Sequence, residues 1–366
     1  MKEEPEIHVG LITDGTPQLE DAGAGKTRIR NLLIGEGFHW QQSIDAVVEG
    51  RIESLAKPQG NIRAVNVLGL ERYLESVISS EMSQNAPEEF LKAHAVISRS
   101  WAMRKIDGAA GQSVNIPNGL VSWEESDSHI GFDVCSDDHC QRYQGIAGRN
   151  DKAAKAVAAT RGEVLADSCG NIADARFSKC CGGRTELFST CWADTDFNYL
   201  QAVSDPWCDL SDMDSGKRRQ FLKTVLPATD IATADFHDWH AIVSREEIAR
   251  RLKDIYGVTI GRVLHLSKKS TGASGRIKEL EVIGSEGTVT VGKELKIRRL
   301  LSPRCLYSSW FDITETDSGF ILDGHGWGHG VGLCQIGGAR MAFEGHSYTE
   351  ILEFYYHDAK IKKLYD

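Results

Sequence analysis

The stretch that most constrains this chain runs from Leu70 to Lys105, LERYLESVISSEMSQNAPEEFLKAHAVISRSWAMRK. Leu70, Leu74, Val77 and Ile78 recur at three- and four-residue spacing, the mark of a helix face turned to a core. Glu81 is the next member of that series. A charged carboxylate is costly to bury, so either the helix ends at Glu81 or the site uses the acid. Ser83-Gln84-Asn85-Ala86 breaks the pattern, and Pro87 opens a second helix with Glu88 and Glu89 in its positive first turn. The product is a helix–loop–helix with one acid at its corner. Taken alone, the stretch also reads as a helix end carrying a solvated glutamate.

A chain of 366 residues has room for two or three domains and a sizeable core. Its formal charge of −10 and pI near 5.7, with no basic stripe, argue against a nucleic-acid partner. No window of about 18 apolar residues occurs, so no transmembrane helix is expected. The start, MKEEPEIHVG, lacks the apolar core of a signal peptide. It reads as a cytosolic beginning or as an exported protein whose leader precedes this numbering. Nine cysteines, at 135, 140, 169, 180, 181, 191, 208, 305 and 334, are many for a cytosolic enzyme. They point to metal, disulfides or both, and the odd count leaves one unpaired unless metal takes some.

Along the chain, residues 7–68 read as strands (IHVGLI, IDAVVEGRIESL, NIRAVNVL), followed by the helix pair and an irregular excursion over 107–147. Asn150 or Asp151 caps an alanine-rich helix that Gly162 closes. EVLADS and IADARFS flank Cys169-Gly170-Asn171 as an expected hairpin. From 205 to 311 a capped helix (Ser244, Glu247, Gly257) and a glycine-turned strand meander form a smaller α+β unit. The fold class is therefore α+β. A β-rich core, residues 1–204, carries the helix pair and the excursion; 205–311 is inserted in it or packed on it; 312–366, with a glycine-rich loop and helices, completes it.

Three stretches could carry chemistry. In SHIGFDVCSDDHC, His129, Cys135, His139 and Cys140 offer the two imidazoles and two thiolates that tetrahedral zinc prefers. A disulfide with bystander histidines is the competing reading. With all four residues bound, no position remains for water, and the zinc is structural. In GHGWGHGVGLCQ, residues 324–335, alternating glycines let backbone approach a ligand or run through positive φ. His329 and Cys334 there also suggest a Cys–His nucleophile pair. In FSKCCGGRTE, residues 177–186, Ser178 or Arg184 faces a ligand or sits in a plain turn.

Together these stretches resemble the SpoIID/LytB family, named for the stage II sporulation protein D. The family's Glu-Met-Pro corner and following helix, which reads like EALKAQAVAARTYA, line up with Glu81-Met82-Ser83 and EFLKAHAVISRSWA. Its glycine-rich GHGVGMSQ segment lines up with GHGWGHGVGLCQIGGARMAFEG, and the resemblance runs over about residues 7–362. It implies a lytic transglycosylase acting on peptidoglycan glycan strands stripped of stem peptides, in a secreted or envelope-facing protein. Glu81 takes the role of the family's acid, and Arg99 that of the arginine in the next helix. His129, Cys135, His139 and Cys140 stand in the family's zinc-binding excursion, and Arg99, Ser178, His329 and Gln335 are the substrate-binding candidates. An apolar setting beside Val77, Ile78 and Met82 is expected to favour the acid form. The family also covers non-catalytic wall-binding and amidase-enhancing proteins, for which a cell-wall amidase is the partner. Ser83, His94, Trp101 and Cys334 replace the family's usual proline, glutamine, tyrosine and serine.

Overall fold

The periodic stretch forms helix α1, Leu70–Glu81, and the helix stops at its acid: Met82 is extended, with φ −128° and ψ 153°. The structure, a computed structural model, describes residues 3–38, 40–56, 62–108, 120–123, 129–146, 148–231 and 237–366. Leu70, Leu74, Val77 and Ile78 are buried together with Tyr73. Helix α2, Glu88–Ile106, is buried on most of its sides and runs through the interior, where Phe90, Ala93, Val96, Ile97 and Ala102 lie in one core with α1. Helix α3, Asp151–Ala159, packs on both, started by Asn150, whose side chain accepts from the Ala153 N–H at 2.8 Å.

The fold is α+β. Strands Arg51–Ala56, Ile62–Gly69, Glu6–Gly10 and Val134–Cys135 form one sheet in that order. The last pair is parallel, so the strand Glu6–Gly10 anchors the cysteine excursion beside the core. Strands Thr13–Gly23, Lys26–Ile34 and Gln42–Glu49 make a second sheet. The first of these is exposed along most of its length and has no inside–outside alternation, so pattern reading passes over it.

The hairpin expected around Cys169 is not formed as drawn. Glu163–Ala166 pairs with the C-terminal strand Lys360–Lys363, and Phe177–Ser178 runs parallel to Leu333–Cys334. Asp167 closes a tight turn on Asn171 instead, leaving one isolated bridge, Ala166 to Ile172. The second pairing matters for the site, because it lays 177–178 against the glycine-rich loop.

A separate core holds the smaller unit, from Trp239 to Leu322. It begins and ends later than the expected 205–311: Cys208, Leu210, Phe221, Leu222 and Val225 belong to the larger core, and Phe311–Glu315 and Gly319–His325 pair within the smaller unit. The meander is Val263–Thr271, Ile277–Gly284 and Thr288–Gly292, with Leu120–Val121 added at its edge. Arg276 ties the units together. Fully buried, it donates to the carbonyls of Gly328 at 3.2 Å and Cys181 at 3.2 Å. Gly330 has φ +78°, and a Cβ there would stand 2.5 Å from the guanidinium, so the glycine loop wraps the arginine only because that position has no side chain.

Candidate functional site

Glu81 is 7 % exposed and lines a cleft of about 220 Å³. Three groups approach its carboxylate. The Arg142 backbone N–H donates to Oε1 at 3.2 Å, Gln335 Nε2 donates to Oε2 at 3.4 Å, and Lys179 Nζ lies 3.8 Å from Oε2. They come from three segments far apart in sequence, so the corner is a tertiary site and not a solvated helix end. The expected apolar setting is corrected here: Val77, Ile78 and Met82 are buried on the core side, while the carboxylate itself meets an ammonium and two N–H donors.

Behind the carboxylate stands a row of alternating charges. Lys179 pairs with Asp230 at 2.9 Å, Asp230 with Arg142 at 3.2 Å, and Arg142 with Asp138 at 2.8 Å. Burial pushes Asp230 up, but Lys179 and Arg142 outweigh it and hold the carboxyl below its ordinary range. Burial pushes Asp138 up; Arg142 opposes this and Glu81 adds to it. Such a row fixes the Lys179 ammonium between two carboxylates, which positions it without lending it wholly to either.

The opposite wall comes from the paired segments 177–178 and 333–334. Ser178 is buried and its Oγ has no hydrogen-bond partner among the described residues, although it lines the cleft. A hydroxyl so placed can hydrogen-bond a molecule that enters the cleft. Gln335 opens the helix Gln335–Phe343 and stands 2.9 Å from His94 Nε2. Burial, with the Lys179 charge nearby, pulls His94 down to about 3, so the ring is neutral. With Nε2 accepting from Gln335, Nδ1 carries the proton and donates to Ser98 Oγ at 3.1 Å. The chain Ser98–His94–Gln335–Glu81 thus sets the amide's orientation.

His329 is also in the cleft wall, and its Nδ1 is already engaged. Nδ1 accepts from the Val331 N–H at 3.0 Å, and the ring packs edge-on to Trp192 at 4.8 Å. Burial and then Arg176, Arg276 and Arg298 press it well below the ordinary histidine range. Trp40, Trp101, Trp192 and Trp327 line the same space, giving it flat apolar faces among the charges.

His129, Cys135, His139 and Cys140 come together at one edge of the cleft, their donor atoms all within 4.8 Å of one another. Cys140 Sγ lies 3.6 Å from His129 Nε2 and 3.8 Å from His139 Nδ1. A tetrahedral ion with zinc-like bond lengths requires sulfur and nitrogen ligands roughly 3.6 Å apart, so the donor set fits. The sequence then runs directly from Cys140 through Gln141 to Arg142, whose N–H reaches Glu81. Whatever holds the four ligands also holds that donor.

Two expectations are not met. Arg99 does not reach the cleft: fully buried, it makes paired bonds to Glu71 at 2.9 and 2.7 Å and a third to the Glu163 carbonyl at 2.9 Å. Its role is to join α1, α2 and the strand after α3. The Cys334 thiol is pushed up to about 11, chiefly by burial; it meets the N–H groups of Cys181 and Gly337, the Lys179 carbonyl, other cysteines and Asp205, and among the described residues no histidine bonds it to activate it as a nucleophile. Conversely, Lys179, Arg142, Asp138 and Asp230 went unremarked in the sequence. The only local signal was Lys179 standing next to Ser178.

Residues 58–166 match the model of the stage II sporulation protein, SpoIID. The span contains α1, Glu81, α2 and the four metal-type ligands. This segment carries a SpoIID domain. Residues 186–332, most of them in the smaller unit, match a domain of unknown function, DUF8618. Stage II sporulation protein D of Bacillus subtilis is 26% identical over 303 residues, covering 82% of this chain and 76% of that protein. An uncharacterized protein of Brachyspira hyodysenteriae is 29% identical over 297 residues, covering 81% and 67%. The amidase enhancer of Bacillus subtilis is 24% identical over 313 residues; the match takes in 77% of this chain but only 39% of the enhancer. The SpoIID segment and the glycine-rich loop meet at Glu81 and Gln335, so the cleft is built from both ends of the chain.

Proposed function

We propose that this SpoIID-domain protein is a lytic transglycosylase of the cell envelope that cleaves peptidoglycan glycan strands stripped of stem peptides. The observation that carries the proposal is one buried carboxylic acid at a helix corner, held from three sides, in a cleft walled by tryptophans and a serine hydroxyl that has no partner among the described residues. A lytic transglycosylase can work with a single acid. Glu81 gives its proton to the glycosidic oxygen as the bond breaks, and the sugar passes through an oxocarbenium-like state. The same carboxylate then takes the proton from the muramyl 6-hydroxyl as that oxygen closes on C1. Gln335 and the Arg142 N–H hold the carboxylate in line, Lys179 offsets its charge in the base half of the cycle, and Ser178 Oγ hydrogen-bonds the sugar. A zinc ion on His129, Cys135, His139 and Cys140 would serve as a structural clamp, fixing the loop that carries the Arg142 N–H.

The test is to incubate the protein with denuded glycan strands and look for 1,6-anhydromuramyl ends by mass spectrometry. The similarity to an amidase enhancer favours a second reading, a non-catalytic wall-binding partner of an amidase. That reading predicts stimulation of an added cell-wall amidase with no anhydro product from the protein alone. Metal analysis of chelator-free protein, compared with Cys140→Ser, tests the ion.

A further inference from the structure

A second group of metal-type donors lies away from the cleft surface, in the interior: Cys181, Cys208, Cys334 and Asp205, all buried, with their donor atoms within 4.8 Å of one another. We infer that these four residues form a second, fully enclosed site for a thiophilic divalent cation of the zinc type, with three thiolates and one carboxylate as ligands. It is independent of the transglycosylase reading.

The donor chemistry is the first argument. Three sulfurs and one oxygen are a set that soft tetrahedral ions accept, and Cys181 Sγ stands 3.3 Å from Asp205 Oδ2, near the roughly 3.5 Å that sulfur and oxygen ligands of one tetrahedral ion keep. The second argument is charge. Asp205 is 1 % exposed, and no lysine, arginine or histidine among the described residues forms an ion pair with it. A buried carboxylate beside three thiols, without a cation, is an arrangement a bound cation would complete.

The third argument is the shell around the donors. The N–H groups of Cys181 and Gly337 point at Cys334 Sγ at 3.2 and 3.4 Å, the second of them from the first turn of the helix Gln335–Phe343. Hydrogen bonds of this kind stabilise a thiolate over a thiol. Asp205 is oriented in turn: Tyr355 Oη donates to Oδ2 at 2.8 Å, and the N–H groups of Trp207 and Cys208 donate to Oδ1 at 3.1 Å each. Gly337 leaves the space for this carboxylate, since a Cβ there would stand 2.4 Å from Oδ2. Binding would release the thiol protons to solvent.

Such an ion would join three remote segments directly behind the cleft. Cys181 lies two residues after Lys179, and Cys334 directly precedes Gln335, so the clamp would fix the two residues that face Glu81 from the far wall.

The competing fate of this cluster is a disulfide, because Cys180 Sγ lies 3.3 Å from Cys208 Sγ. Anomalous diffraction at the zinc edge from crystals of the intact protein, purified without chelator, decides between them. A peak among Cys181, Asp205, Cys208 and Cys334 is the result expected, and Cys208→Ser should then lower bound zinc by about one equivalent per chain while leaving the His129 site loaded. No peak at this cluster in crystals that carry zinc at His129, or a Cys180–Cys208 linkage in the denatured, unreduced protein by mass spectrometry, would overturn it.

Discussion

His94 offers a prediction whose size follows from its surroundings. The ring is wholly buried between α2 and the helix that Gln335 opens, and burial pulls it from an ordinary 6.5 down to about 3. Its folded value is depressed, so its neutral form is favoured in the native state. The unfolded chain takes up a proton below about pH 6.5 that the folded chain refuses until about pH 3. The group therefore supports stability above pH 6.5 and withdraws that support as the pH falls through this window. At pH 5.5, one unit below the unfolded value, the loss amounts to about 1.4 kcal/mol. His94→Gln keeps an acceptor for Gln335 and a donor for Ser98 but removes the titration. Urea unfolding of both proteins at pH 7.5 and 5.5 isolates the effect, because every other titrating group is common to the two and cancels. The wild type should lose roughly 1.4 kcal/mol more than the variant between those pH values. Equal losses in the two proteins would refute the reasoning.

Other consequences are quicker to state. Arg99→Met strands the Glu71 carboxylate in the core and should cost about 3–5 kcal/mol in urea unfolding, with glycan cleavage per folded molecule unchanged. Lys179→Met removes the cation between Asp230 and Glu81; turnover of denuded strands should fall about 100-fold, in kcat more than in KM. Gly330→Ala forces a Cβ against Arg276 at positive φ and should lower the melting temperature and loosen the junction of the two cores, seen as faster amide exchange around Arg276.

What could be read from the sequence was local. The three-and-four spacing gave α1 and its end at Glu81, and Pro87 with two glutamates gave the start of α2, because helix periodicity and caps act within a few residues. The donor types at 129–140 suggested a metal site for the same reason. The charge row from Asp138 through Arg142, Asp230 and Lys179 to Glu81 could not be seen that way, since its members stand on four segments and only the fold makes them neighbours. Arg99 failed in the opposite sense: the resemblance lines it up with the arginine of the family's helix, but its burial against Glu71 is tertiary. The pairing of Phe177–Ser178 with Leu333–Cys334 joins strands more than 150 residues apart, and no turn chemistry near Cys169 could have announced it.

The central claim is that one buried carboxylic acid does the bond cleavage, first as acid and then as base. Glu81→Gln keeps the shape and the contact with the Arg142 N–H while removing the transferable proton. The direct measurement is the yield of 1,6-anhydromuramyl ends from denuded glycan strands, wild type against Glu81→Gln at equal folded concentration, with folding checked by circular dichroism. The account predicts product from the wild type and a loss of about 1,000-fold or more in the variant. Product formed by the variant at the wild-type rate would contradict it.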